Sequence, residues 1–151
     1  MKNFYLIFML VCFMGGMVLS AKAEEKEPLI IEMLNKRDKE KMLYSQDVAR
    51  VEVGQTITWT PDSKGHNVQF VSVPEGVEKV KSKLSKEFSY TFEQEGAYLY
   101  GYTPHASMGM IGVVIVGNTP SDINLDEVKK YKFRGKSKKK FKKILKSLED
   151  V

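Results

Sequence analysis

Residues 111–116 read Ile-Gly-Val-Val-Ile-Val, a nearly continuous β-branched run. Branching at Cβ stiffens the side chain and suits a pleated strand. The run lacks the polar-apolar alternation of a strand with one wet face, so it predicts a strand buried in a sandwich core. Upstream, Ala97–Tyr100 resumes after the turn at Gly96, and Phe88–Phe92 alternates aromatic and polar residues. Thr56–Thr60 alternates again and stops at Pro61-Asp62, and Val48–Val53 alternates before Gly54-Gln55 turns the chain. Leu29–Leu34 is a β-rich run ended by Asn35-Lys36-Arg37-Asp38. Short strands at regular spacing, with turn residues between them, define an all-β sandwich or barrel. Between Pro74 and Lys86 the pattern weakens and turns polar, which predicts a long connection with room for a helical turn.

After Gly117 the texture changes. Asn124–Val128 begins one helix, Gly135 breaks the chain, and Ser137–Leu148 forms a second. In the second, Phe141, Ile144, Leu145 and Leu148 fall at helical spacing, which gives it an apolar stripe to dock on the sandwich. The expected architecture is an all-β sandwich spanning 24–120 with a C-terminal helical extension over 121–151 packed on the same domain. There is no internal repeat and no second domain.

The first 23 residues carry Lys2, an apolar run from Phe4 to Leu19, and Ala21-Lys22-Ala23, with small residues where a signal peptidase cuts. This is the pattern of a cleaved secretory signal, too short and wrongly flanked for a lasting membrane span. A lipoprotein signal is the rival reading because Cys12 lies in the run, but Val11 before it is not small and little apolar sequence precedes it. Cleavage after Ala23 takes 23 of the 151 residues and leaves 128, enough for one core. It also removes the only cysteine, so the exported domain is expected to have no disulfide and no thiolate ligand.

Two lysines leave with the signal, which lowers the formal charge from +5 to about +3. From Ser121 onward there are eleven Lys or Arg against five Asp or Glu, whereas Glu24–Pro120 carries eleven against fourteen. A basic tail can mark nucleic acid or an anionic membrane. Here the lysines alternate with an apolar stripe and the chain is expected to be exported. The tail therefore reads as the solvated face of a docked helix, with no nucleic acid partner and no stable membrane insertion.

The chain has two histidines, and both stand in loops flanked by strand signals. His66 lies in Gly65-His66-Asn67 and His105 in Thr103-Pro104-His105, with Met108 and Met110 just behind it. In a sandwich, neighbouring strand ends can bring two such loops together. Imidazole and thioether suit copper better than zinc or calcium, since soft sulfur selects Cu(I) and hard ions want oxygen. The bland alternative is a loop histidine bonded to backbone and methionines that fill the core. No serine or carboxylate has a recognisable partner for His105 and no glycine-rich phosphate loop follows a strand, so an enzyme is not expected.

The chain from about Leu29 to its end resembles the pseudoazurins, periplasmic blue copper proteins of the cupredoxin family. The likeness is carried by Met33-Leu34-Asn35-Lys36, Lys64-Gly65-His66-Asn67-Val68, Phe88–Phe92, Thr103-Pro104-His105 and Met108–Val114. The two C-terminal helices also fit. The resemblance implies a Greek-key cupredoxin sandwich, one copper ion and one-electron transfer in the periplasm. In that family a first histidine and a C-x-x-H-x-x-x-x-M loop hold the metal. Position by position, His66 matches the first histidine, His105 the second and Met110 the methionine; Met108 has a shorter spacing and is a fallback. Asn67 matches the residue that ties the ligand loops together, and Met42 a methionine near the copper-site histidine.

The cysteine position is Tyr102. Blue copper colour and the main electronic route both depend on the thiolate, so a blue centre is excluded. A phenol is a poor substitute, with its oxygen at the far end of a rigid ring and a pKa of about 10. Three outcomes stay open: copper held by His66, His105 and Met110, with a preference for Cu(I); Tyr102 swung in as a phenolate in a non-blue Cu(II) site; or a metal-free site filled by the ring. Function follows these outcomes: a one-electron carrier, a Cu(I) carrier or buffer without redox cycling, or a metal-free interaction module. The resemblance further implies a monomer that docks on periplasmic redox proteins with acidic surfaces. Lys36, Lys64, Lys81 and Lys83 match the family's lysine ring, whereas Gly101 stands where pseudoazurins carry another lysine.

Overall fold

A computed structural model describes residues 26–117 and 124–149; the expected signal segment lies outside them. Eight strands form two four-stranded sheets. The strands are β1 (Leu29–Arg37), β2 (Glu40–Tyr44), β3 (Val48–Val51), β4 (Thr56–Thr60), β5 (Gln69–Ser72), β6 (Phe88–Thr91), β7 (Gly96–Gly101) and β8 (Ile111–Val116). One sheet runs β2-β1-β4-β6 and the other β3-β8-β7-β5. The pairs β1–β4 and β3–β8 are parallel and the rest antiparallel. A 3-10 helix spans Thr103–Met108, and two α-helices follow the sheets: α1 (Leu125–Lys130) and α2 (Gly135–Glu149).

The unbroken apolar run of β8 has a specific cause. All six of its residues are buried, but they serve two cores. Val114 and Val116 face the other sheet and join Trp59, Phe70, Tyr98 and Tyr100. Val113 and Ile115 face outward, where Leu125, Val128, Phe141, Ile144 and Leu148 of the helices cover them together with Ala97 and Leu99 of β7. Each large side chain buried in this way contributes about 1.5–3 kcal/mol. A strand with both faces covered has no position at which a polar residue is cheap, and alternation is therefore lost. Leu145 is half-buried at the rim of the same cluster. Asn124 fastens the start of α1 to the sheet: its Oδ1 accepts from the Ala97 amide and its Nδ2 donates to the Ala97 carbonyl, both at 2.8 Å.

Two local expectations differ from the structure. First, β1 continues to Arg37 and forms a hairpin with β2, where a loop was expected after Leu34. The turn places Asp38 at φ 53°; aspartate tolerates this left-handed conformation, so the turn needs no glycine to announce it. Second, the connection from Val73 to Glu87 contains no helix. It lies along β5, with the Phe70 amide donating to the Val80 carbonyl at 2.9 Å and the Ser82 amide to the Val68 carbonyl at 2.8 Å. Among the described residues no helix is long and apolar enough to cross a membrane.

Candidate metal centre

The register of the second sheet assembles the site. Gln69 pairs with Gly101 and Gly101 with Ile111, so the start of β5, the end of β7 and the start of β8 lie side by side. The residues just beyond these ends are His66-Asn67 on one side and the Tyr102–Met110 loop on the other. The sheet thus converts three distant stretches into one cluster at its end. Thr103 Oγ1 donates to Gln69 Oε1 and ties the two loops together.

The imidazoles of His66 and His105 stand 5.6 Å apart between ring centroids, at 68°. The Tyr102 ring packs edge-on against both, 5.8 Å from His66 and 4.7 Å from His105. His66 and Met110 are fully buried, while Tyr102 and His105 are half-buried. Met108 is exposed and faces away into a cleft shared with Met42. Inward placement therefore distinguishes Met110 from Met108.

The histidine nitrogens are specifically prepared. His66 Nε2 lies 2.7 Å from Asn35 Oδ1. An amide oxygen only accepts, so Nε2 carries the proton and Nδ1 keeps its lone pair. That Nδ1 is buried and has no hydrogen-bond partner, and the same is true of His105 Nδ1. Burial, followed by the neighbouring His105, lowers the pKa of His66 and keeps it neutral, the form that ligates metals.

The His66-Asn67 segment is held on all sides. The Ser85 amide donates to the His66 carbonyl and Ser85 Oγ accepts from the Gly65 amide, each at 2.8 Å. Ser82 Oγ accepts from the Val68 amide at 2.8 Å, and the buried Tyr44 hydroxyl donates to the Asn67 carbonyl at 2.8 Å. The Asn67 amide donates to the Ser82 carbonyl at 3.0 Å, toward the connection and not toward the 102–110 loop, while its Oδ1 is buried without a partner. Asn35, Tyr44, Ser82 and Ser85 are the supporting residues that the sequence did not single out. Lys36, Lys64, Lys81 and Lys83 are all exposed, and each is within two residues of His66 or of a residue that holds its loop, Asn35 or Ser82.

Among the described residues no group of three His, Cys, Asp or Glu side chains forms. A metal at this position would use two imidazoles and whatever Met110 and Tyr102 add. Two imidazoles 5.6 Å apart with buried, partnerless Nδ1 atoms, in a loop cluster that also carries the buried Met110, fit a soft ion such as copper.

A two-sheet sandwich with such a histidine pair at one end defines a cupredoxin. The family model for copper-binding proteins of the plastocyanin/azurin type matches residues 31–117, and the chain belongs to that family, whose members bind one copper ion and carry electrons. Pseudoazurin from Paracoccus pantotrophus is 38% identical over 112 residues, covering 73% of this chain and 76% of that protein. The crystal structure of pseudoazurin from Hyphomicrobium denitrificans superposes with a TM-score of 0.72 at 37% identity, over 83% of this chain and 98% of that one. Pseudoazurin from Methylobacterium extorquens AM1 gives a TM-score of 0.75 at 27% identity, over 81% and 99%.

Proposed function

We propose that this cupredoxin is a periplasmic one-electron carrier with a thiolate-free copper centre, held by Nδ1 of His66, Nδ1 of His105 and the thioether of Met110. The observation that carries this reading is the pair of buried, partnerless Nδ1 atoms, since a buried polar nitrogen without a partner is costly and a ligated one is not. Bound copper would supply the one-electron chemistry. The chain's part is to hold the His66 imidazole neutral, to keep water from Met110, and to leave His105 at the half-exposed edge where a partner can approach. The exposed Lys36, Lys64, Lys81 and Lys83 would raise the encounter rate with acidic redox proteins more than they would set affinity.

Tyr102 supports a second reading. Its ring stands edge-on beside both imidazoles at the position where the family's loop pattern places a thiolate. Without that thiolate, three neutral soft ligands favour Cu(I), and the protein would carry Cu(I) without cycling. Titration with Cu(I) and with Cu(II), followed by voltammetry, tests both readings. One equivalent bound with a reversible couple supports the electron carrier, and tight Cu(I) binding without a couple supports the copper carrier. Binding of neither ion sinks both. His105→Ala should lose most of the affinity; retained affinity would place the metal elsewhere.

A further inference from the structure

A cleft of about 320 Å³ lies between the β1–β2 hairpin, the segment Met108-Gly109 and α2. Six lysines line it: Lys39 and Lys41 from the hairpin, and Lys136, Lys139, Lys140 and Lys143 from α2. The four on α2 follow i, i+3, i+4, i+7 spacing and so form one stripe. Only Glu40 and Asp47 oppose them, leaving a formal excess of +4 from six lysines and two carboxylates. Lys140 is paired with Asp47 at 2.5 Å with its side chain 14% exposed. The other five form no ion pair among the described residues. The floor includes Met42, Leu43 and Met108.

Like charges at helical neighbour spacing repel, and here they face two more across a concave surface, where field lines concentrate. A bilayer is a poor relief for this charge, because the apolar residues of α2 are already buried on β7 and β8. A cleft of this size is at the small end of ligand sites and favours a compact guest. Ammonium groups act as point charges that suit phosphate oxygens. We propose that the cleft binds a compact multivalent oxyanion of the oligophosphate class, independently of any metal at His66 and His105.

Tripolyphosphate, titrated calorimetrically into the full-length mature chain at about 0.1 M salt, is the test probe. The expected result is one saturable site, weakened by salt and by about tenfold or more in Lys139→Ala/Lys143→Ala. Lys86→Ala/Lys132→Ala removes the same charge outside the cleft and should change affinity by no more than about twofold. Equal losses in the two variants would mean general attraction to a basic protein and would overturn the site. So would the absence of saturable heat, or binding of hexaglutamate or phosphatidylglycerol vesicles without tripolyphosphate binding. Should the cleft variant fail to fold, amide shifts of the unmodified protein decide: movement at Met108, Gly109 and α2 supports the proposal, and movement confined elsewhere overturns it.

Discussion

Asn35 is exposed, yet its Oδ1 fixes the proton on Nε2 of a buried histidine and so leaves the lone pair of His66 on Nδ1. Removing such a support typically costs metal affinity without unfolding the protein. Asn35→Ala should therefore lower copper affinity by about 10–100-fold while the urea midpoint changes little. An unchanged affinity in competition with a Cu(I) chelator would mean that packing alone orients the ring. At Tyr102 the prediction is a gain. Tyr102→Cys restores a thiolate beside two imidazoles and a thioether, the donor set of blue copper, and copper loading should produce an intense visible band. A colourless, copper-loaded variant would show that the 3-10 turn holds position 102 out of reach. The resemblance to the family's loop pattern made His105 and Met110 legible as candidates in the sequence. The supporting residues were not, because their contacts join positions 31 residues apart for Asn35, 23 for Tyr44 and 15 for the Asn67–Ser82 bond. No local pattern encodes such separations.

Two elements meet closely where α2 begins. Gly135 has φ 58°, and a Cβ there would come within 2.4 Å of the Ser107 carbonyl oxygen in the 3-10 helix that carries His105. Gly76 also has a positive φ, 81°, but a Cβ there would meet nothing within 4 Å. Gly76→Ala should therefore cost only the left-handed backbone penalty, about 1–2 kcal/mol. Gly135→Ala adds a steric clash and should cost more, with a shift in the amide resonances of Thr103–Met108. Equal urea midpoints for the two variants would show that α2 yields freely. The sequence marked Gly135 as a break between helices, which is its backbone role, but its fit against Ser107 depends on two segments 28 positions apart. Similarly, the run at 111–116 announced a strand covered on both faces, and the docked helices explain why. The β1–β2 hairpin was missed because Asp38 adopts its left-handed turn without a glycine.

Across the whole molecule, the space between the sheets is filled largely by aromatic rings, among them three tyrosines. Trp59 meets Phe70 and Tyr100 edge to face at 6.2 and 5.3 Å, Tyr44 meets Tyr100 at 4.8 Å, and Phe70 meets Tyr98 at 5.9 Å. Burial raises the pKa of Tyr98 from 10.0 to about 12, with a smaller push from Tyr90, and burial first of all raises Tyr44 and Tyr100 as well. In the unfolded chain these phenols titrate near 10, so between pH 10 and about 12 the unfolded state binds fewer protons than the folded one. Stability that is fully present below pH 10 must then fall as pH rises through that window. The urea midpoint, followed by far-ultraviolet circular dichroism, should be flat from about pH 8 to 9.5 and then decline steeply. Tyr98→Phe deletes one of these titrations at the cost of the 2.8 Å bond from Tyr98 to the Gln94 carbonyl. It should start from a lower midpoint at neutral pH but decline less steeply above pH 10. An equal slope in the variant would mean that the Tyr98 hydroxyl reaches solvent in the native state, and that alkaline unfolding is driven by Tyr44 and Tyr100, deeper between the sheets.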